Sequence, residues 1–196
     1  YRALAGILMI GDRSIKGDVP TACTNGRDEM YGHDFVDTLA DAELRFVVLH
    51  ESFHKLYRHL TTWEWMWKED AGRANRACDY VATMPECGLV DEKYRGMNAA
   101  QVYKSLGDEP PGGGSGGGSG FDEHDWEGAK ELTDAEQRDL ERDIDEAIRQ
   151  GALMAGKLGT GAERDFSDLL KPQVNWREVM REFVTSTCSG SDYSTY

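Results

Sequence analysis

The sequence predicts an α+β fold that is mostly helical and has a small β-sheet near its N-terminus. Within residues 21–31, the pair Asn25-Gly26 is a signal for a two-residue hairpin turn, which predicts two antiparallel strands. From Asp41 to about Leu60, apolar residues recur at spacings of three and four, the period of a helix with one buried face. Strands are therefore expected first, with helices after them.

Four further helices are expected beyond this first one. One runs from Asp70 to Met84 and ends there because the next residue is a proline, which disfavours helical geometry in the residue before it. The other three begin where Asn or Thr is followed three residues later by Gln or Glu, a pattern typical of a helix start; they begin at Asn98, Thr133 and Asn175. The apolar run of residues 3–10 is too short to assign.

The chain of 196 residues is long enough to bury a core and is expected to form a single domain. Residues 112–120 read GGGSGGGSG, a composition typical of a flexible linker. We interpret the block of residues 111–120 as an engineered replacement of a native loop. It divides the domain into a lobe of residues 1–110 and a helical C-terminal lobe of residues 121–196.

The composition argues against several classes of partner. A formal net charge of -14 opposes binding to nucleic acid or to an anionic membrane, because both need clustered Lys and Arg. No apolar run approaches the ~18 residues of a membrane span, and no signal peptide is evident, so we expect a cytoplasmic protein. The four cysteines form no CxxC pair, which opposes a cysteine zinc knuckle.

One short motif carries chemistry. His50, Glu51 and His54 form the pattern HExxH inside the predicted long helix. Residues four apart lie on one helix face, so the two imidazoles can bind one zinc ion, while Glu51 reaches a water molecule and acts as general base. The flanking residues are apolar, and histidines buried there without partners would be costly. The segment therefore predicts a zinc site.

A catalytic zinc ion usually takes three protein ligands, so a third ligand is required. His59 is near in sequence. On a continuous helix, however, five residues rotate it by ~140° from His54, and nine residues rotate it by ~180° from His50. We therefore expect His59 to face away, at the surface or behind the ligands.

The next predicted helix offers a better third ligand. Asn75, Cys78 and Asp79 share one face there, and Asp79 falls 25 residues after His54. An acidic ligand at such a distance on an antiparallel helix is the gluzincin arrangement. Asp79 is the preferred ligand. Cys78 is an adjacent competitor, and Glu69 and Asp70 are weaker ones, so the choice stays open at this point.

Several segments together resemble a known family. They are TACTNGRDEMYGHDFVDTLADAELRFVVLHESFHKLYRH, ANRACDYVATM, MNAAQVYKSL, FDEHDW and VNWREVMREFV. They are similar to the metallopeptidase domains of prokaryotes and phages that often adjoin a von Willebrand factor A-like domain. The resemblance covers most of the chain and implies a zincin-like fold, with such an A-like domain as a partner outside this chain.

The resemblance also assigns roles by position. It implies zinc bound by His50 and His54, Glu51 as the base, and Asp79 as the third ligand. It further implies that His124 faces the metal from the C-terminal lobe as a proton donor or oxyanion stabiliser. Read from the residues alone, His124 is an ordinary loop residue.

These observations predict a zinc-dependent metallopeptidase that acts on a protein or peptide substrate. Two other functions stay open. One is a metal-stabilised protein-interaction module with little or no catalytic turnover, and the other is a hydrolase that acts on a non-peptide amide. A base beside the first ligand favours catalysis, because a purely structural site has no need of one.

Overall fold

The structure, a computed structural model, describes residues 2–82, 91–107 and 125–158 of the chain. Within these ranges a small sheet lies near the N-terminus and helices make up most of the remainder, which confirms the predicted α+β class. The elements are α1 (Ala5–Leu8), β1 (Arg13–Lys16), β2 (Ala22–Thr24), β3 (Glu29–Gly32), α2 (His33–Thr38), α3 (Asp41–Leu56), α4 (His59–Thr62), α5 (Glu64–Glu69), α6 (Ala71–Val81), α7 (Ala99–Gly107), α8 (Trp126–Lys130) and α9 (Asp134–Leu158).

The sheet has the strand order β1-β3-β2, with β1 parallel and β2 antiparallel to β3. The hairpin predicted around Asn25 is confirmed, but the prediction of a two-residue turn was wrong. Thr24 pairs with Glu29, so four residues form the loop. The side-chain oxygen of Asn25 accepts hydrogen bonds from the backbone N–H groups two and three residues further on, at 2.9 and 2.7 Å. This side-chain turn, together with Gly26 at φ 91°, favours the longer loop.

The helix α3 ends earlier than predicted. It stops at Leu56 instead of continuing to Leu60, and α4 begins three residues after that end. Between them Arg58 adopts a left-handed backbone with φ 52°, which is uncommon for a residue with a side chain. The guanidinium of Arg58 forms an ion pair with Asp145 on α9. A tertiary contact therefore accompanies the turn that the apolar spacing did not reveal.

The helix α6 lies close to its predicted position. Asp70 caps its first turn by accepting a hydrogen bond from the backbone N–H of Arg73 at 2.9 Å. The helix ends at Val81, three residues before the predicted end at Met84, which itself lies outside the described residues. The small side chains that the sequence places on one face, such as Ala74 and Cys78, are fully buried.

Two of the predicted helix starts are confirmed by reciprocal hydrogen bonds. At the start of α7, the backbone N–H of Asn98 donates to the side chain of Gln101, and the reverse bond is also present. Thr133 and Glu136 make the same exchange at the start of α9. The helix predicted from Asn175, the linker of residues 111–120 and the boundaries of the C-terminal lobe lie outside the described residues, so these stay predictions.

Three apolar clusters surround α3 and the helices that follow it. The first, around Val47, joins α3 to the sheet. The second, around Leu56 and Ile144, joins α3 to α1 and α9. The third, around Met66 and Val102, is formed mainly by α5, α6 and α7. Within the described ranges, none of the helices combines the length and the apolarity that a bilayer crossing requires.

Candidate metal centre

The helix α3 buries an unusual number of polar side chains. His50, Glu51, Ser52, His54 and Lys55 are each at most 9% exposed. Burying polar groups is unfavourable unless they find partners, so this stretch of helix must be matched by groups on neighbouring elements. The partners divide into two sets, one on each side of the helix.

The first set begins with the two histidines of the helix. Because they are four residues apart, their rings lie one turn apart on one face. The Nε2 atoms of His50 and His54 are 3.1 Å from each other. Two nitrogen atoms facing each other at this distance need either a proton between them or a cation that both lone pairs bind.

A carboxylate from another helix completes this set. The Oδ1 atom of Asp79, on α6, lies 3.7 Å from His50 Nε2 and 3.6 Å from His54 Nε2. Asn75, one turn earlier on α6, donates from its side-chain amide to the Oδ2 atom of Asp79 at 3.2 Å. The amide thereby orients the carboxylate so that its other oxygen faces the two imidazoles.

The three groups fit a metal ion. One ligand atom from each of His50, His54 and Asp79 lies within 4.8 Å of the others, and all three residues are buried. In a tetrahedral site with bonds of about 2.1 Å, neighbouring ligand atoms are about 3.4 Å apart, a value that the separations of 3.1, 3.6 and 3.7 Å bracket. Two imidazole nitrogens and one carboxylate oxygen form a donor set suited to zinc and related transition metals.

The competing third ligands lie elsewhere. Cys78 packs in the apolar cluster of α5, α6 and α7 and is not in the group of possible ligands among the described residues. Glu69, at the end of α5, and Asp70, which caps α6, have half-exposed side chains and form ion pairs with Arg73 on α6. Of the four candidates weighed on the sequence, the structure therefore brings only Asp79 to the two histidines.

His59 is not among these ligand atoms, as expected, but the reason differs from the one predicted. The argument assumed a continuous helix, whereas α3 ends at Leu56. His59 is only 1% exposed, which rules out the surface position considered for it. Its Nδ1 atom lies 3.0 Å from Nδ1 of His54, on the opposite edge of that ring from Nε2. It therefore stands behind the second histidine.

Glu51 is completely buried beside the first histidine. Its charge contributes to the pKa of Tyr31, which lies on β3. Burial and the carboxylate of Glu29 raise the pKa of Tyr31, and Glu51 adds to the effect. His124, the other residue to which a catalytic role was assigned, lies outside the described residues. The catalytic roles of Glu51 and His124 stay predictions.

The second set of buried partners was not predicted from the sequence. Glu29, on β3, is fully buried and accepts hydrogen bonds from Arg13, Tyr31 and Ser52 at 2.5, 2.6 and 2.9 Å. Its Oε1 atom lies 2.6 Å from Nζ of Lys55, which is also fully buried. Glu29 therefore joins two strands of the sheet to the side of α3 that faces away from the ligands.

The charges of this network influence each other strongly. Burial opposes ionisation of Glu29, but Lys55 and the hydrogen-bond donors outweigh it and hold the pKa of the carboxyl group below its ordinary value. Burial also lowers the pKa of Lys55, and the charge of Glu29 only partly offsets this effect. One signal was visible in the sequence: Lys55 lies between His54 and Leu56 in an apolar helix, where a cation needs a counter-charge.

The fold and the site define an α+β domain with a buried His-His-Asp group that can hold a metal ion. The model of a family described as "putative metallopeptidase domain" matches residues 2–196, and the chain belongs to this family. The resemblance that the sequence motifs predicted is therefore confirmed. Comparison with curated proteins gives no match, and comparison with solved structures gives none either.

Proposed function

We propose that the protein is a zinc-dependent metallopeptidase that hydrolyses peptide bonds in a protein or peptide substrate. The observation that carries the proposal is the group of three ligand atoms, from His50, His54 and Asp79, with the buried carboxyl group of Glu51 next to the first ligand. Membership of a metallopeptidase family supports the reaction class. The absence of a membrane-crossing helix in the described ranges fits the cytoplasmic location that we also propose.

In this proposal each side chain has one task. His50 and His54 bind the ion through Nε2, and Asp79 binds it through Oδ1 while Asn75 holds the other oxygen. When bound, zinc acts as a Lewis acid and lowers the pKa of water to about 7, so that hydrolysis can proceed at neutral pH. Three protein ligands leave a tetrahedral site one position for water or substrate.

Glu51 is the proposed proton carrier. Its carboxylate accepts a proton from the attacking water and returns it to the nitrogen of the leaving amine, which balances the hydrolysis of an amide bond. Burial in α3 fixes the position of this carboxylate relative to the ligands, since the helix backbone sets the spacing of adjacent residues. A positioned base of this kind contributes typically 10²–10⁴-fold to rate.

The substitution Glu51→Gln tests the proposal, because it keeps the size of the side chain and removes the base. The zinc content of purified protein is measured by mass spectrometry, and cleavage is followed on a library of quenched fluorescent peptides. Glu43→Gln, at an exposed position of the same helix, is the matched control. We expect stoichiometric zinc in all three proteins and a loss of at least ~100-fold in cleavage for Glu51→Gln alone.

The outcomes separate the peptidase from the metal-stabilised interaction module that was considered from the sequence. Equal cleavage by wild type and Glu51→Gln would overturn the assigned mechanism. Full zinc occupancy without cleavage of any peptide by the wild type would instead favour a metal-stabilised interaction module. In that case His54→Ala should destabilise the fold by removing a metal ligand, while Glu51→Gln leaves partner binding intact.

A further inference from the structure

His54 makes close contacts through both nitrogen atoms of its ring. Its Nε2 faces His50 and Asp79, and its Nδ1 lies 3.0 Å from Nδ1 of His59. Both imidazoles of the second contact are buried, at 0% and 1% exposure. A nitrogen pair at this distance is a hydrogen bond in which one ring donates and the other accepts.

Metal ligation decides which ring donates. A neutral imidazole that binds a metal through Nε2 must carry its proton on Nδ1. If His54 is a ligand, it therefore donates from Nδ1–H, and His59 accepts with the lone pair of its own Nδ1. The reverse arrangement would leave His54 with its proton on Nε2, pointing at the metal site, where it would prevent ligation.

We propose that His59 is a positioning residue of the metal centre: it accepts a hydrogen bond from Nδ1–H of His54 and thereby fixes the tautomer that binds the ion. The inference rests on the proposed role of His54 as a metal ligand. Metal-binding histidines generally donate their second N–H to an acceptor, and this partner orients the ring. Here the acceptor is a neutral imidazole, so no further negative charge is added beside Asp79.

The backbone around His59 serves this placement. On a continuous helix, His59 would point away from His54, but the left-handed turn at Arg58 ends α3 and begins α4 at His59 itself. A left-handed backbone is strained for a residue with a side chain. The ring of Tyr57 stacks on that of His59 with 5.5 Å between centroids, and Arg58 is held by Asp145. The turn therefore sets both the position and the tilt of the accepting ring.

The same hydrogen bonds predict the tautomers of the metal-free protein. With the proton of His54 on Nδ1, the 3.1 Å contact between the two Nε2 atoms requires His50 to donate from Nε2–H. For His50 to bind zinc through Nε2 as a neutral imidazole, its proton would have to be on Nδ1 instead, whereas His54 would keep its tautomer. The second ligand is in this way prepared for the metal before the metal arrives.

Nitrogen NMR of the histidine rings tests the tautomers directly. The chain has five histidines, few enough to assign by single substitutions. In the wild-type protein without metal, we expect His54 to show a protonated Nδ1 and an unprotonated Nε2. This measurement needs no variant and no activity. A protonated Nε2 on His54 would overturn the proposal whether or not the protein later proves to be a peptidase.

Zinc affinity, measured by competition with a chromogenic chelator, tests the consequence. We expect His59→Ala to weaken zinc binding 10–100-fold, and His59→Gln to recover part of the loss because its amide oxygen can accept the same hydrogen bond. His33→Ala, at an exposed histidine, is the control and should leave the affinity unchanged. Affinity of His59→Ala within twofold of wild type would overturn the proposal. Failure of the wild type to bind zinc would overturn the proposed function, while the tautomers of the metal-free protein would still test the hydrogen bond.

Discussion

Removing the charge of Glu29 should destabilise the protein strongly, because Lys55 would then be left in the interior without its counter-charge. The two side chains are both fully buried, and their charged atoms are 2.6 Å apart. Removing one partner of a buried ion pair typically lowers the free energy of unfolding by ~3–5 kcal/mol. Alternatively, Lys55 could lose its proton in the folded variant at pH 7. Deprotonation costs about 1.4 kcal/mol for each pH unit by which pH 7 lies below the ordinary lysine pKa of ~10.4, which amounts to ~5 kcal/mol. Both routes predict a loss of ~3–5 kcal/mol for Glu29→Gln.

The assay is urea unfolding followed by tryptophan fluorescence, in the presence of a chelator so that metal binding does not contribute to the free energy. The control is the double variant Glu29→Gln with Lys55→Met. It removes both charges and keeps an apolar side chain of similar length, so it should recover most of the loss. A cost below ~1 kcal/mol for the single variant would refute the reasoning. The reasoning would also be refuted if the double variant lost as much unfolding free energy as Glu29→Gln and Lys55→Met lose together.

The pH dependence provides a second test of the same pair. The folded protein holds the pKa of Glu29 below the ordinary value of 4.5. The stabilisation from its ionised form is therefore present above pH 4.5 and is lost as the pH falls towards the folded-state pKa. The difference in unfolding free energy between wild type and Glu29→Gln should shrink below pH 4.5, since protonation makes the wild type resemble the variant. A difference that stays constant from pH 7 to pH 4 would contradict this.

Two further substitutions probe the site and the fold, and a third, Gly17→Ala, is the control for the second. Asn75→Ala removes the amide that donates a hydrogen bond to Oδ2 of Asp79. Zinc affinity in the chelator assay should therefore fall ~10-fold, with little change in the free energy of unfolding. A zinc affinity within twofold of wild type would argue against this role of Asn75. Gly11→Ala introduces a Cβ that would lie 2.0 Å from the carbonyl oxygen of Arg27, at a φ of 72°, and should cost at least ~1–3 kcal/mol in urea unfolding. Gly17→Ala, where a Cβ meets open space, should stay within ~0.5 kcal/mol of wild type.

The parts of the fold that were predicted correctly depend on local patterns. The apolar spacing of three and four identified α3, and the exchange of hydrogen bonds at Asn98 and Thr133 needs only residues three positions apart. The same holds for His50 and His54, which any helix brings to one face. Such relations are encoded within a few residues, so they can be inferred before the tertiary structure is known.

The predictions that were wrong concern two turns, one with local side-chain hydrogen bonds and one with a contact to a distant residue. The hairpin loop has four residues because side-chain hydrogen bonds of Asn25 stabilise a longer turn. The helix α3 stops at Leu56, where the chain turns at Arg58 and pairs with Asp145, 87 positions further along the chain. Apolar spacing continues past this point, and therefore it could not show that the helix had ended.

The sequence by itself determined that one helix carries two imidazoles on one face, with a carboxyl group between them in the chain, because residues four apart share a face of every helix. Only the tertiary structure decided which acidic group joins them, which ring supports His54, and that Glu29 and Lys55 form a buried pair. These contacts depend on how separate elements pack against each other. That packing is driven by the burial of the three apolar clusters, whose residues are far apart in the sequence. The spacing of the two histidines is a local feature, whereas the candidate metal centre and the side chains that surround it are features of the whole fold.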